Sequence, residues 1–150
     1  MKTIIKNDTN LSIYYLEDSH EVVLNDDGLW IGSGEHKSRI SNRTSEDTTL
    51  HTNVPTLTDW YGGKYLYNGT AWSLNSEYKG HAKLTSDIND SVTTIPVNTS
   101  NPFTTSGTVQ IGDEKITYTG VDGTNLTGCT RGTASTSAAS YSKHLDVDQI

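Results

Sequence analysis

Cysteine is almost missing from this chain: Cys129 stands alone among 150 residues, so no internal disulfide can form and a bridge-stapled secreted domain is excluded. There are three prolines, one phenylalanine and one methionine. No apolar run approaches the length of a membrane-crossing helix. The opening residues Met1-Lys-Thr-Ile-Ile-Lys-Asn-Asp turn polar after two apolar side chains, unlike a signal peptide. Basic residues are also scarce, with Lys+Arg 11 against Asp+Glu 18 and a net charge of -7. The deficit is spread along the chain: residues 1–80 carry seven basic and eleven acidic side chains, residues 81–150 four and seven. Holding nucleic acid by its phosphates needs Lys and Arg, so no nucleic-acid partner is expected. The expectation is a soluble chain made in a cytosol, with no membrane insertion.

What is abundant is strand and turn chemistry. Thr, Ser and Asn make up a third of the chain and only 32% is hydrophobic, which suits solvated strand faces and turns better than helices. The clearest pattern is Gly107 to Gly132. Val109, Ile111, Ile116 and Tyr118 are spaced by two around Gly112-Asp113, which predicts a two-residue hairpin loop with Val109 opposite Ile116. A following three-residue loop, Val121-Asp122-Gly123 with Gly123 left-handed, would place Tyr118 opposite Leu126 and complete a three-stranded meander.

The first half predicts strands over Leu11–Leu16, Val22–Leu24, Leu29–Ile31 and Thr48–Val54, with turns at Asp18-Ser19 and Asp26-Asp27-Gly28. Residues 32–47 hold one strongly apolar side chain, Ile40, and read as a long exposed contact loop. Asn68-Gly69 predicts a type I′ hairpin pairing Tyr65 with Trp72 and Leu66 with Ala71. Alternation lapses between Asn75 and Lys83, read as a linker or domain junction. Beyond it, Pro96 cannot donate to a ladder and must lie at a sheet edge or end. Leu145, Val147 and Ile150 alternate at the end of a Ser, Thr and Ala rich tail, as a last strand or as an arm pairing with a neighbouring subunit. The fold class expected is all-β: two small antiparallel β-modules, sandwich or barrel-like, over 1–80 and 81–150, with very little helix.

Chemistry is harder to find. The five histidines show no metal-ligand spacing, the aspartate clusters lack the calcium-loop pattern, and no nucleophile elbow, phosphate loop or dinucleotide fingerprint occurs. Asp113 and Glu114 make an implausible acid and base pair, because Asp113 lies in the hairpin loop, Glu114 is its neighbour on the opposite face, and adjacent strand residues point apart. Cys129 reads as a small buried side chain. No catalytic residue, metal or cofactor is expected. The aromatic residues concentrate before residue 80, where packing competes with a sugar-binding platform built from Trp60, Tyr61 and Trp30.

Both hairpin regions resemble virion structural proteins of tailed bacteriophages, especially those of marine cyanobacteria. The likeness is carried by Thr93-Thr-Ile-Pro-Val97, Gly107-Thr-Val-Gln-Ile-Gly112, Glu114-Lys-Ile-Thr-Tyr-Thr-Gly120 and Leu126-Thr-Gly-Cys-Thr-Arg-Gly132. In the first half it rests on Asn10-Leu-Ser-Ile-Tyr14, Val54-Pro, Trp60, Gly63-Lys-Tyr-Leu-Tyr, Gly69-Thr-Ala-Trp72 and Leu74-Asn75. The resemblance implies a non-enzymatic accessory protein of the virion: a capsid decoration or cement protein, or a tail or fibre adaptor. Its partners would be major capsid or tail proteins and further copies of itself, with a trimer the stoichiometry suggested by other virion accessories. The chain lacks the long shaft of a complete receptor-binding fibre. The alternative is a module binding host surface glycans. Candidate interface or glycan contacts are Trp60, Tyr61, Trp30, Ile40, Leu145, Val147 and Ile150.

Overall fold

The computed structural model describes residues 1–33, 35–40 and 42–150, and among them there is no helix. The described residues form five small antiparallel sheets, none closed into a barrel. The chain divides into two compact units, Met1–Tyr78 and Lys79–Ile150.

The first unit opens with β1 (Lys2–Lys6) between β2 (Ser12–Leu16) and β6 (Thr48–Thr52). Thr3 and Ile4 on the central strand are fully buried. A second sheet runs β3 (Glu21–Asn25), β4 (Gly28–Ser33) and β5 (His36–Ile40), with Leu29 opposite both Leu24 and Ile40. Asp26-Asp27 forms the expected turn, capped by Asn25 Oδ1, which accepts from Asp27 N and Gly28 N at 3.0 and 3.2 Å.

Strand β5 corrects the reading of residues 32–47 as a loop. Its side chains from His36 to Arg39 are exposed, so the strand carries no apolar alternation. Gly34 and Ser41 of that segment lie outside the described residues.

The aromatic hairpin is β7 (Tyr65–Tyr67) with β8 (Trp72–Leu74). Its register differs by two residues from the type I′ expectation: Tyr65 faces Leu74, Leu66 faces Ser73 and Tyr67 faces Trp72. Asn68 Oδ1 accepts from Thr70 N and Ala71 N at 2.9 and 2.8 Å, which holds four residues in the loop, and only Gly69 has positive φ, at +93°.

The second unit is built on a five-stranded sheet in the order β15 (Thr130–Thr133), β12 (Glu114–Tyr118), β11 (Gly107–Ile111), β16 (Asp146–Gln149), β9 (His81–Lys83). A smaller sheet joins β10 (Ile95–Pro96), β14 (Asn125–Thr127) and β13 (Gly120–Asp122). Val109 pairs with Ile116 across the Gly112-Asp113 loop, as its alternation predicts. Pro96 lies on an edge strand.

Leu126 faces Val121 and Ile95, whereas Tyr118 faces Gly107, so the predicted Tyr118–Leu126 pair does not form. The chain leaves the large sheet between Tyr118 and Gly120 and starts a new hairpin, where a Cβ on Gly120 would sit 2.6 Å from Thr127 Oγ1. Gly123 is left-handed at +52°, but within a Gly123-Thr124 loop. The strand beside β12 is β15, not β14. Within the stretch from Asn75 to Lys83, read as a linker or domain junction, residues 81–83 form β9, and the division between the two units falls after Tyr78.

Of the two expectations for the tail, a last strand or an arm, the chain adopts the first. β16 pairs with β11 on one side and β9 on the other, so it is an interior strand of its own unit and not an arm for a neighbour. Val147 is 0% exposed in a core with Ala82, Leu84, Ile95, Val109, Ile116 and Phe103.

Candidate contact surfaces

In the first unit the Pro55 to Gly63 connection is fastened by its aromatic residues. Trp60 stacks on Tyr15 with ring centroids 5.7 Å apart, and its Nε1 donates to Ser12 Oγ at 2.9 Å. Ser12 is buried and shares a 2.8 Å hydrogen bond with Thr3 Oγ1. Trp72 Nε1 donates to the Pro55 carbonyl at 2.8 Å, and Leu57 N donates to Tyr15 Oη at 2.7 Å. Trp60 is therefore half-buried and structural. Its neighbour differs: Tyr61 is 42% exposed, with the Tyr78 ring 6.5 Å away and tilted by 54°. Burial, together with Tyr61, pushes the Tyr78 phenol up to about 12.

Asp59 anchors the other end of this connection. Its Oδ2 accepts from Lys64 Nζ at 2.8 Å and from Tyr65 Oη at 2.7 Å. Burial pulls the Asp59 carboxyl upward, but the bonds from Lys64 and Tyr65 outweigh it and hold the group below its ordinary value. Lys64 itself is buried and lies over the Tyr65 ring, 5.5 Å from its centroid. The same burial and the Asp59 bond raise the Tyr65 phenol.

Trp30 sits in the second sheet between Val23 and Arg39, and the Arg39 guanidinium lies over its ring at 5.5 Å. Arg39 also donates to the Asp27 carbonyl at 2.5 Å. With a cation on its ring, Trp30 is half-buried, as is Ile40 opposite the fully buried Leu29.

In the second unit Leu145 and Ile150 are 43% and 47% exposed, at either end of β16. With Gln110, Gly112, Asp146 and Asp148 they line a shallow depression of about 470 Å³. Asp146 accepts from Lys83 Nζ at 2.5 Å, and Asp148 lies 2.5 Å from His81 Nδ1. The Lys83 bond is the main reason the Asp146 carboxyl stays below its ordinary value. Val147, between these carboxylates in sequence, points the other way into the core and offers no contact surface.

In the sequence Glu114 reads only as half of an implausible acid and base pair, and that reading misses what it does. Glu114 is 1% exposed and accepts four hydrogen bonds: Arg131 Nε and Nη2 at 2.8 Å each, Gly132 N at 2.8 Å and Ala139 N at 3.1 Å. Arg131 in turn donates to the carbonyls of Asn89 at 2.5 Å and Ala139 at 2.6 Å. Burial acts to raise the Glu114 carboxyl, yet these donors hold it below its usual value. The pair is a clamp closing residues 132–139 over the end of β12, where Ala134 and Ser135 both take positive φ, at 52° and 64°. A signal was present in the sequence: Glu114 is in phase with Ile116 and Tyr118, both buried.

Cys129 is buried, its Sγ 3.4 Å from the Leu126 carbonyl oxygen, and burial pushes the thiol up to about 11. That is the opposite of an activated nucleophile. Among the described residues no three His, Cys, Asp or Glu side chains are grouped to hold a metal ion, and no helix is long and apolar enough to cross a membrane.

No protein-family model, curated protein or solved structure matches this chain significantly.

Proposed function

We propose that this chain is a structural subunit of a tailed-phage particle, made in the host cytoplasm and working through surfaces buried against other virion proteins. Two things support the reading: the resemblance of both halves to virion proteins, and the division of labour among the side chains. The observation that carries it is the exposed apolar pair Leu145 and Ile150 flanking a shallow depression on β16. The groups with chemical potential, Glu114, Asp59 and Cys129, are engaged in holding the fold. Exposed apolar side chains at a sheet's end gain free energy when a neighbour removes them from water, at about 25 cal/mol per Å². Open sheet edges give the same neighbour backbone groups to pair. The reading is non-enzymatic, with capsid or tail proteins and further copies of the chain as partners, and it requires no cofactor.

Immunogold labelling of intact particles tests it. Label at a fixed place on every particle is expected, and label confined to the tail would remove the capsid version. Particles that lack the protein altogether would overturn the proposal.

A second reading is favoured by one specific observation, the exposed Tyr61 ring beside Tyr78. Aromatic faces of this kind stack on sugar rings, so a host surface glycan is the ligand to try. Glycan-array binding lost in Tyr61→Ala is the expected outcome of that reading. Binding that survives the substitution would exclude Tyr61 from the site.

A further inference from the structure

The loop between β7 and β8 sets an asparagine directly before a glycine in an exposed turn. Conversion of an asparagine to a cyclic imide requires the next residue's backbone nitrogen to add to the side-chain carbonyl carbon. Three local features favour this at Asn68. Its Oδ1 already accepts two backbone N–H bonds, from Thr70 at 2.9 Å and Ala71 at 2.8 Å. Donors placed there stabilise negative charge developing on that oxygen as the nitrogen adds, the same electrostatic principle as an oxyanion hole. The next residue is Gly69, which has no side chain to crowd the approach and occupies φ +93° without penalty. All four loop residues, Asn68 to Ala71, are exposed, so water reaches the product.

We propose that Asn68 is a deamidation site of the folded chain. The Gly69 nitrogen bonds to Asn68 Cγ, and the side-chain amide nitrogen departs as ammonia, taking the Gly69 N–H proton with it. Water then opens one of the two C–N bonds of the five-membered imide. Opening on one side leaves an ordinary aspartyl residue in place of Asn68; opening on the other leaves the β-linked isomer. No oxidant, metal or second protein is needed. The aspartyl product keeps an oxygen for Thr70 and Ala71 and adds one negative charge to the loop. The β-linked product inserts a methylene into the main chain and disturbs the Tyr67–Trp72 register.

Other asparagines separate the contributing features. Asn25 Oδ1 accepts the same pair of backbone bonds, from Asp27 N at 3.0 Å and Gly28 N at 3.2 Å, but Asn25 is followed by Asp26. Asn75 is followed by Ser76, and its Nδ2 is tied to the Gly63 carbonyl at 3.0 Å. Asn68 is the one asparagine in the sequence followed by glycine.

The test is incubation of the purified full chain at mildly alkaline pH, then tryptic digestion and mass spectrometry of two peptides: Tyr65 to Lys79, which contains both Asn68 and Asn75, and Asn7 to Lys37, which contains Asn25. The expected result is a shift from amide to carboxylate mass that fragment ions place on Asn68. Aspartyl and isoaspartyl forms should both be resolved, accumulating severalfold faster than conversion at Asn75 or Asn25. Conversion at Asn68 no faster than at those two would overturn the proposal, and this comparison needs no variant. Gly69→Ala, whose methyl would sit 3.6 Å from His51 Cε1 in a strained backbone, is expected to slow conversion severalfold. If that variant is folded by tryptophan fluorescence and converts at the parental rate, the proposal fails as well.

Discussion

The two units reach stability by different routes. In Lys79–Ile150 one continuous apolar cluster runs from Ala82 to Val147 and includes Phe103, Val109, Ile111, Ile116, Tyr118 and Leu126, all nearly inaccessible. A buried ion pair, Glu114 with Arg131, closes the loop at its edge. In Met1–Tyr78 the corresponding cluster is Ile5, Val54 and Tyr67, with Met1, Tyr15 and Trp72 packed around it half-buried. The first unit makes up the deficit with aromatic rings and side-chain ties: Trp60 to Ser12, Trp72 to Pro55, Tyr15 to Leu57 and Asp59 to Lys64. A module of this size is marginal on its core alone. Where apolar volume is short, the chain uses large side chains with a polar end, and Trp60, Trp72 and Tyr15 each pack a ring while bonding a backbone or hydroxyl group.

The sharpest way to break this contrast is Glu114→Ala. It leaves the Arg131 guanidinium buried with its carboxylate gone, and breaking such a pair by removing one partner costs about 3–5 kcal/mol. The second unit should unfold early while the first is untouched. All three tryptophans, Trp30, Trp60 and Trp72, belong to the first unit, so fluorescence should be unmoved while circular dichroism shows an early transition. A loss under about 1 kcal/mol would mean that the Asn89 and Ala139 carbonyls suffice for Arg131. The same clamp gives a pH prediction. The folded Glu114 carboxyl lies below its unfolded value, so its contribution is complete above about pH 4.3. That contribution is lost as pH falls through the lower folded value. Acid should therefore lower the second unit's transition more in the parent than in Glu114→Gln, and equal acid sensitivity would count against the clamp.

Core truncation sharpens the comparison at a slightly smaller scale. Ile116→Ala removes a fully buried side chain from the continuous cluster and is expected to cost about 2–5 kcal/mol. Ile5→Ala, in a cluster with half-buried neighbours that can move inward, belongs at the low end of that range. Urea unfolding of each variant, followed by circular dichroism for the first and tryptophan fluorescence for the second, compares them. Equal losses would erase the distinction between a packed core and an aromatic shell.

How much of this was legible beforehand follows the same division. Local alternation with a standard turn could be read directly: the Val109–Ile116 pair, the Asp26-Asp27 turn, the edge position of Pro96 and the left-handed Gly123 all came from residues adjacent in sequence. Local pattern is not enough where a side chain or a distant strand decides the pairing. Asn68 Oδ1 lengthened a loop that its dipeptide alone assigns two residues. Strand β5 pairs through its backbone and carries no apolar signature. The alternation from Tyr118 to Leu126 is real, but the two residues lie in different sheets. Glu114 and Arg131 are 17 residues apart and meet only because β15 pairs with β12. Among the candidate contacts, Val147 shares its two-residue period with exposed positions, and only pairing on both sides of β16 buries it.

Trp60→Phe probes the ties of the first unit. It keeps the ring on Tyr15 but removes the donor to Ser12 Oγ, so the expected loss is about 1 kcal/mol, the net value of one such bond. The second unit should not respond. Stability unchanged by fluorescence-detected unfolding would show that Thr3 alone satisfies Ser12, and that the connection is held by stacking.

The smallest effect expected on folding carries the most weight for function. Leu145 is exposed beside β16 and outside the core, so Leu145→Ser should change the stability of the second unit by no more than about 0.5 kcal/mol. On the proposed role in a phage particle, with the depression between Leu145 and Ile150 as the seat of a neighbouring subunit, the same substitution places a hydroxyl where apolar surface should be buried. Incorporation into particles should then drop severalfold while melting is unchanged. Comparing particle-bound protein in Leu145→Ser with that in Trp60→Phe separates the two meanings of an exposed residue. A stability defect without an incorporation defect marks a residue of the fold, and the reverse marks a residue of the interface. Full incorporation of Leu145→Ser would move the search for the interface to the first unit, where Val23, Tyr61 and Leu74 are the exposed large apolar side chains.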